Sequence, residues 1–287
     1  MKRLSLIPIF LSITFLSVEA TLLANKNSDQ DMGNTSPVKD SNAIKITIVY
    51  DNKPFDAKLK NKWGFSCLIQ GLEKTLLFDT GGDGKFLMSN LKKLNINPEN
   101  IDVVFLSHEH RDHTDGLNDF LKENKNIVIY LLPSFPEYIK KDIVNAGAKF
   151  IEIKNPTYLF KGVASTGELG TVIKEQSLVI QTDKGLVIIT GCAHPKIVEI
   201  LNKAKEYFKQ DIYQVIGGFH LAGFSYTELK EIIRQFRKLG VKKVGPCHCS
   251  GDLSQKLFKE EYHKDYIEIG VGKTIKIDFI PKMKGGN

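Results

Sequence analysis

The sequence predicts an α/β protein built as a four-layer αββα sandwich. Three observations predict it. Short runs of branched and aromatic residues recur through both halves of the chain, and each half contains an adjacent pair joined at a turn. Segments with apolar residues at helical spacing follow many of these runs. Six of the seven histidines stand just beyond the end of a predicted strand, where α/β folds expose their chemistry. Two strand-rich halves with helices outside them bury most apolar surface by stacking sheet on sheet.

The N-terminal residues are not part of that fold. Lys2 and Arg3 precede an apolar run from Leu4 to Val18, and Val18-Glu19-Ala20 supplies small residues at the positions a signal peptidase reads. Residues 1–20 are therefore expected to be a signal peptide and the protein to be exported, periplasmic or secreted, with no stable membrane span after cleavage. Residues 21–42 are rich in Asn, Asp, Ser and Lys and lack periodicity, which predicts a disordered linker. The globular domain is expected over 43–287.

Ile44–Tyr50 alternates as a half-buried strand. Trp63–Gln70 and Lys74–Phe78 form a hairpin around Gly71, and the second strand ends in Asp79-Thr80-Gly81-Gly82, a tight turn with an inward carboxylate. Phe86–Leu94 has a helical face. Ile101–Leu106 is a buried strand, followed by Ser107-His108-Glu109-His110-Arg111-Asp112-His113 and a short helix over Gly116–Leu121. Ile127–Leu132, the helix Pro136–Asn145 and the strand Phe150–Ile153 complete the first half. In the second half, Leu178–Thr182 and Leu186–Thr190 pair around Asp183-Lys184-Gly185. The second of these strands leads into Gly191-Cys192-Ala193-His194-Pro195, with Pro195 expected to open a helix. A strand over Ile212–Ile216 runs into Gly217-Gly218-Phe219-His220. Ser225-Tyr226-Thr227-Glu228 is a capping box at the head of a helix ended by Gly240. Val241–Val244 leads to Pro246-Cys247-His248-Cys249, a helix spans Asp252–Glu261, and Ile267–Phe279 holds the closing strands.

Composition narrows the function. The 287 residues are 42% hydrophobic and 25% charged, ordinary for a chain with a full core. The net charge of +7 is spread along the chain, with no basic stripe interleaved with aromatics, so no nucleic-acid partner is expected and a small-molecule substrate is. The four cysteines allow three pairings. Three of them stand beside histidines at strand exits, which favours a role in a site over a disulfide framework.

The cluster at 108–113 carries the chemistry. Imidazole nitrogen and carboxylate oxygen suit a borderline metal such as zinc. His108 and His110 are two apart and can point one way from an extended segment, whereas Asp112 and His113 point elsewhere, so one loop offers two ligand pairs.

The pattern His-x-His-x-Asp-His resembles the signature of the metallo-β-lactamase superfamily. Thr-Gly-Cys-Ala-His-Pro, Gly-Gly-Phe-His-Leu and Pro-Cys-His-Cys-Ser-Gly resemble its branch grouped with a dihydropterin-linked ribofuranosylaminobenzene 5′-phosphate synthase, over about Ile44 to Ile280. The resemblance implies the metallo-β-lactamase fold and one or two metal ions, zinc first, with iron or manganese as substitutes. It implies His108, His110 and His194 on one ion and Asp112, His113 and His248 on the other, with Asp79 supporting the histidines from behind. Where the superfamily has a bridging Asp, this chain has Cys192, either a thiolate that bridges the metals or a structural residue with the bridging ligand missing. Bound zinc lowers the pKa of water to about 7. The expected activity is thus metal-dependent hydrolysis of an ester, lactone, amide or phosphoester by metal-bound hydroxide. Asp112 would orient the hydroxide, and His220 would be a ligand or the acid that protonates the leaving group. The alternatives are a transferase of the synthase type and a non-catalytic metal- or ligand-binding protein on the same fold.

Overall fold

The structure, a computed structural model, describes residues 43–278. The expected signal peptide and linker lie outside the described residues. The first sheet has seven strands: β1 (Ala43–Tyr50), β2 (Ser66–Gln70), β3 (Leu76–Phe78), β4 (Val103–Phe105), β5 (Val128–Leu131), β6 (Lys149–Glu152) and, beside β1, β13 (Thr274–Asp278). The second has six: β7 (Thr157–Phe160), β8 (Val163–Ser165), β9 (Leu178–Thr182), β10 (Gly185–Thr190), β11 (Ile212–Gly218) and β12 (Lys243–Cys247).

Alternation along the strands builds the layers. Ile44, Ile46, Ile48, Phe78 and Phe105 from the first sheet meet Leu178, Ile180, Val187 and Ile189 from the second in one buried core. The opposite face of the first sheet, with Val49, Leu77, Val104 and Ile129, packs under α1 (Gly84–Lys93), α3 (Leu117–Glu123) and α4 (Glu137–Asn145). The outer face of the second sheet, with Val179, Leu186, Ile188 and Val215, packs under α5 (Ile197–Phe208), α6 (Tyr226–Lys238) and α7 (Asp252–Tyr262). The result is the αββα sandwich expected. Ser225 and Glu228 form the capping box of α6. Among the described residues, no helix is long and apolar enough to cross a membrane.

The β7–β8 hairpin leaves no pattern in the sequence, and two expectations are corrected. A further helical turn, α2 (Arg111–Thr114), lies inside the histidine cluster, which had read as loop. Pro195 does not open α5: the cap is Lys196, in a left-handed conformation (φ 73°), so His194 lies on a turn ahead of the helix.

Strand direction positions the site. β3 and β4 are parallel, so Asp79 and Ser107 leave the first sheet at one edge. β10, β11 and β12 are also parallel, so Cys192, His220 and His248 leave the second sheet together. The two edges touch: a Cβ on Gly191 would stand 2.1 Å from Ser107 Oγ.

Candidate metal centre

Two groups of side chains converge where these strands end. The donor atoms of His108, His110 and His194 lie within 4.8 Å of one another, and so do those of Asp112, His113, Cys192 and His248. The groups adjoin, with the His108 and His113 rings 4.3 Å apart between centroids.

Hydrogen bonds set the state of the His108, His113 and His248 rings. Asp79 is fully buried and accepts from Ser107 N, Ser107 Oγ and His113 Nδ1, each at 2.7 Å. The Ser107 hydroxyl proton is spent on Asp79, so at 2.9 Å it can only accept from His108 Nδ1. His108 Nε2 therefore carries a lone pair, and it is buried with no partner. His194 Nε2 is likewise buried and unpartnered. Burial and the surrounding imidazoles hold His108 neutral, and burial with His220 lowers His194 to about 4.

The second group repeats the logic. Asn52 Nδ2 donates to the His248 carbonyl at 3.0 Å, which fixes the amide orientation, and His248 Nδ1 donates to Asn52 Oδ1 at 3.1 Å. With Nδ1 committed on both rings, the Nε2 atoms of His113 and His248 face each other at 3.2 Å. Asp112 Oδ2 is 3.2 Å from His248 Nε2, and Cys192 Sγ is 3.3 Å from His113 Nε2. Three lone-pair atoms and a thiol face one space, which calls for a positive charge. Burial works against the His113 imidazolium, yet Asp79 raises its pKa. Burial works against the Asp112 carboxylate, yet the neighbouring His248 and His113 hold it well below the usual range. The unpartnered nitrogens and this donor set fit one or two borderline cations.

The sequence-predicted His220 is exposed, its ring 4.4 Å from that of His194. With His194 it borders a pocket of about 700 Å³ walled by Phe219, Leu221, Phe224 and Ile232. All four cysteines are buried and free.

Sequence reasoning missed Asn52, Ser107, Trp63 and Glu175. Trp63 is 57% exposed and its ring lies 4.8 Å from His248, a platform at the mouth of the site. Glu175 is buried and takes four consecutive backbone N–H groups, from Gly191, Cys192, Ala193 and His194, at 2.8–3.1 Å. Burial raises its pKa to about 7 against those donors. This anion-binding nest fixes the turn that presents His194, including the left-handed Ala193 (φ 61°). Glu175→Gln places an amide N–H₂ against a backbone donor. It is expected to cost about 1–3 kcal/mol in stability. It should also weaken metal binding roughly 10–100-fold. Thermal unfolding and metal titration check both.

Comparison with known proteins gives a consistent result. A family model described as the metallo-β-lactamase superfamily matches residues 64–248. A 7,8-dihydropterin-6-methyl-4-(β-D-ribofuranosyl)-aminobenzene-5′-phosphate synthase of Methanocaldococcus jannaschii is 34% identical, over 81% of this chain and 96% of its own. The crystal structure of a metal-dependent hydrolase of the β-lactamase superfamily superposes with a TM-score of 0.69 at 27% identity, covering 82% of this chain and 99% of that one. The metallo-β-lactamase fold protein YhfI from Bacillus subtilis shares the fold, with a TM-score of 0.61 at 18% identity over 81% of this chain and 99% of that one.

Proposed function

The chain belongs to the metallo-β-lactamase superfamily, and on that footing we propose that it is a metal-dependent hydrolase of a small ester, lactone, amide or phosphoester. One observation carries the reading: the buried Nε2 atoms of His108 and His194 have no protein partner, and those of His113 and His248 face each other while their Nδ1 atoms are held by Asp79 and Asn52. His108, His110 and His194 would hold one ion, and Asp112, His113 and His248, with Cys192 beside them, a second. When bound, zinc-class ions supply Lewis acidity and acidified water.

The rest of the chemistry falls to the chain's own groups. Asp112, ionised through the neutral range, orients the attacking water and accepts its proton. Asp79 and Asn52 keep the rings in the productive tautomer. The walls of the pocket beside His194 take an apolar part of the substrate and exclude water from it. The expected export of the protein belongs to the same proposal and would place the substrate outside the cytoplasm.

A second reading has specific support: the 34% identical relative is a synthase, so transfer between a phosphorylated pterin and an aminobenzene ribotide is the competing reaction. Metal analysis followed by a panel of chromogenic esters, lactones and phosphoesters tests hydrolysis. Turnover should vanish with chelator and return on readdition of zinc. Joined product from pterin pyrophosphate and the ribotide, without water consumption, would favour transfer. Stoichiometric metal with no turnover on either assay would leave a binding protein.

A further inference from the structure

We propose that Cys192, His220 and Cys249 form a separate, thiolate-rich site for a zinc-class cation. Their donor atoms lie within 4.8 Å of one another, and this group overlaps the two above only at Cys192. Donors on one tetrahedral zinc, at about 2.3 Å for sulfur and 2.0–2.1 Å for nitrogen, lie roughly 3.3–3.8 Å apart, so small rotations close the set. Two sulfurs and one imidazole make a soft donor set, which suits zinc or a softer ion better than magnesium or calcium. On binding, the thiols release their protons to solvent and no electrons move.

The backbone is shaped to bring the three together. Gly218 stands between the two cysteines: a Cβ there would lie 2.3 Å from the Gly191 carbonyl oxygen and 2.7 Å from Cys249 Sγ. Only glycine lets the thiol reach past the end of β11 to Cys192. His220 holds a left-handed backbone (φ 53°) that a side-chain-bearing residue rarely adopts, in a loop that has no turn glycine at that position. Ser250 fixes the loop to the neighbouring turn, accepting from Phe219 N at 3.0 Å while donating to the Cys247 carbonyl at 2.6 Å. Ala222 N donates to the Cys249 carbonyl at 3.3 Å, and the Cys249 thiol reaches the Cys192 carbonyl at 3.5 Å. Exposed His220 lines the pocket, which provides an entry path. The assignment makes His220 a ligand rather than the leaving-group acid, and makes Cys192 a thiolate shared between two ions.

The test is X-ray absorption and metal stoichiometry on the reduced, zinc-loaded full chain, with the cobalt form read by its thiolate charge-transfer band. Wild type should show a sulfur shell near 2.3 Å. Cys249→Ala and His220→Ala should each lose one ion per chain, and Cys249→Ala should lower the sulfur count per metal. The double replacement of His108 and His110 should keep the sulfur shell and the cobalt band, which separates this site from the imidazole centre. His220 is exposed, so its variant decides the matter if Cys249→Ala fails to fold by circular dichroism. A wild-type spectrum with only nitrogen and oxygen scatterers overturns the proposal. Unchanged stoichiometry in His220→Ala does the same.

Discussion

Replacing both His108 and His110 with alanine is expected to remove one metal ion per chain and bring turnover down to background. The expected fall exceeds the roughly 10²–10³-fold that follows from losing a single electrostatic contact in an active site. His108 is the hub of the imidazole cluster, with the rings of His110, His113 and His194 at 4.7, 4.3 and 4.9 Å from its own. Its Nε2 has no other employment, since Nδ1 is held by Ser107 and burial keeps the ring neutral. His194 alone cannot retain a borderline ion against water. The replacement opens a cavity at fully buried His108 and frees Ser107 Oγ on one side, but the bonds of Asp79 to Ser107 and His113 remain and His110 is only half-buried, so the fold should survive. The measurement is metal content by plasma mass spectrometry with circular dichroism as the folding control. Full metal content in a folded double variant would sink the assignment.

The site's histidines were legible in sequence while the groups that orient most of them were not. Imidazoles just past strand ends are rare enough to stand out, and parallel strands guarantee that their exits share an edge. Asp79 could be singled out because it too closes a strand. Asn52 acts on His248 from 196 residues away, and Glu175 acts on backbone groups 16–19 residues ahead, so neither leaves a local pattern. Asn and Glu are also common surface residues, so their types carry no warning.

The fold shows the same division. Long alternating runs and the Asp183-Lys184-Gly185 turn announced β1, β9 and β10, and the capping box announced α6. β7 was silent because it is a short edge strand whose residues Thr157–Phe160 are exposed or half-buried, with Tyr158 54% exposed. α2 was silent because four residues cannot display a 3.6-residue period.

Asp79→Ala is the replacement expected to cost most in stability. Three donors converge on this buried carboxylate, and each left unsatisfied costs about 1–3 kcal/mol. Breaking a buried ion pair by removing one partner costs about 3–5 kcal/mol, and the bond to His113 Nδ1 is such a pair when that ring is protonated. A loss of this size is a large share of a typical folding free energy of about 5–15 kcal/mol. The alanine variant should therefore be poorly soluble or melt far below wild type.

Asp79→Asn separates support from stability. One amide oxygen can still accept from Ser107 N, but an amide N–H₂ in place of Oδ2 confronts two donors, Ser107 Oγ and His113 Nδ1. Ser107 must then turn its proton away from residue 79, which lets it donate to His108 Nδ1 and move that ring's proton to Nε2, and His113 must exchange tautomers, bringing a proton onto Nε2. Both imidazole clusters lose a lone pair through a residue that touches neither pocket nor metal. A folded Asp79→Asn chain should bind metal about 10–100-fold more weakly, the usual effect of removing a partner behind the ligands. Metal titration on protein that passes a thermal-melt control reads this directly. Wild-type affinity in a folded Asp79→Asn variant would mean that the tautomers of His108 and His113 are set by something other than this carboxylate.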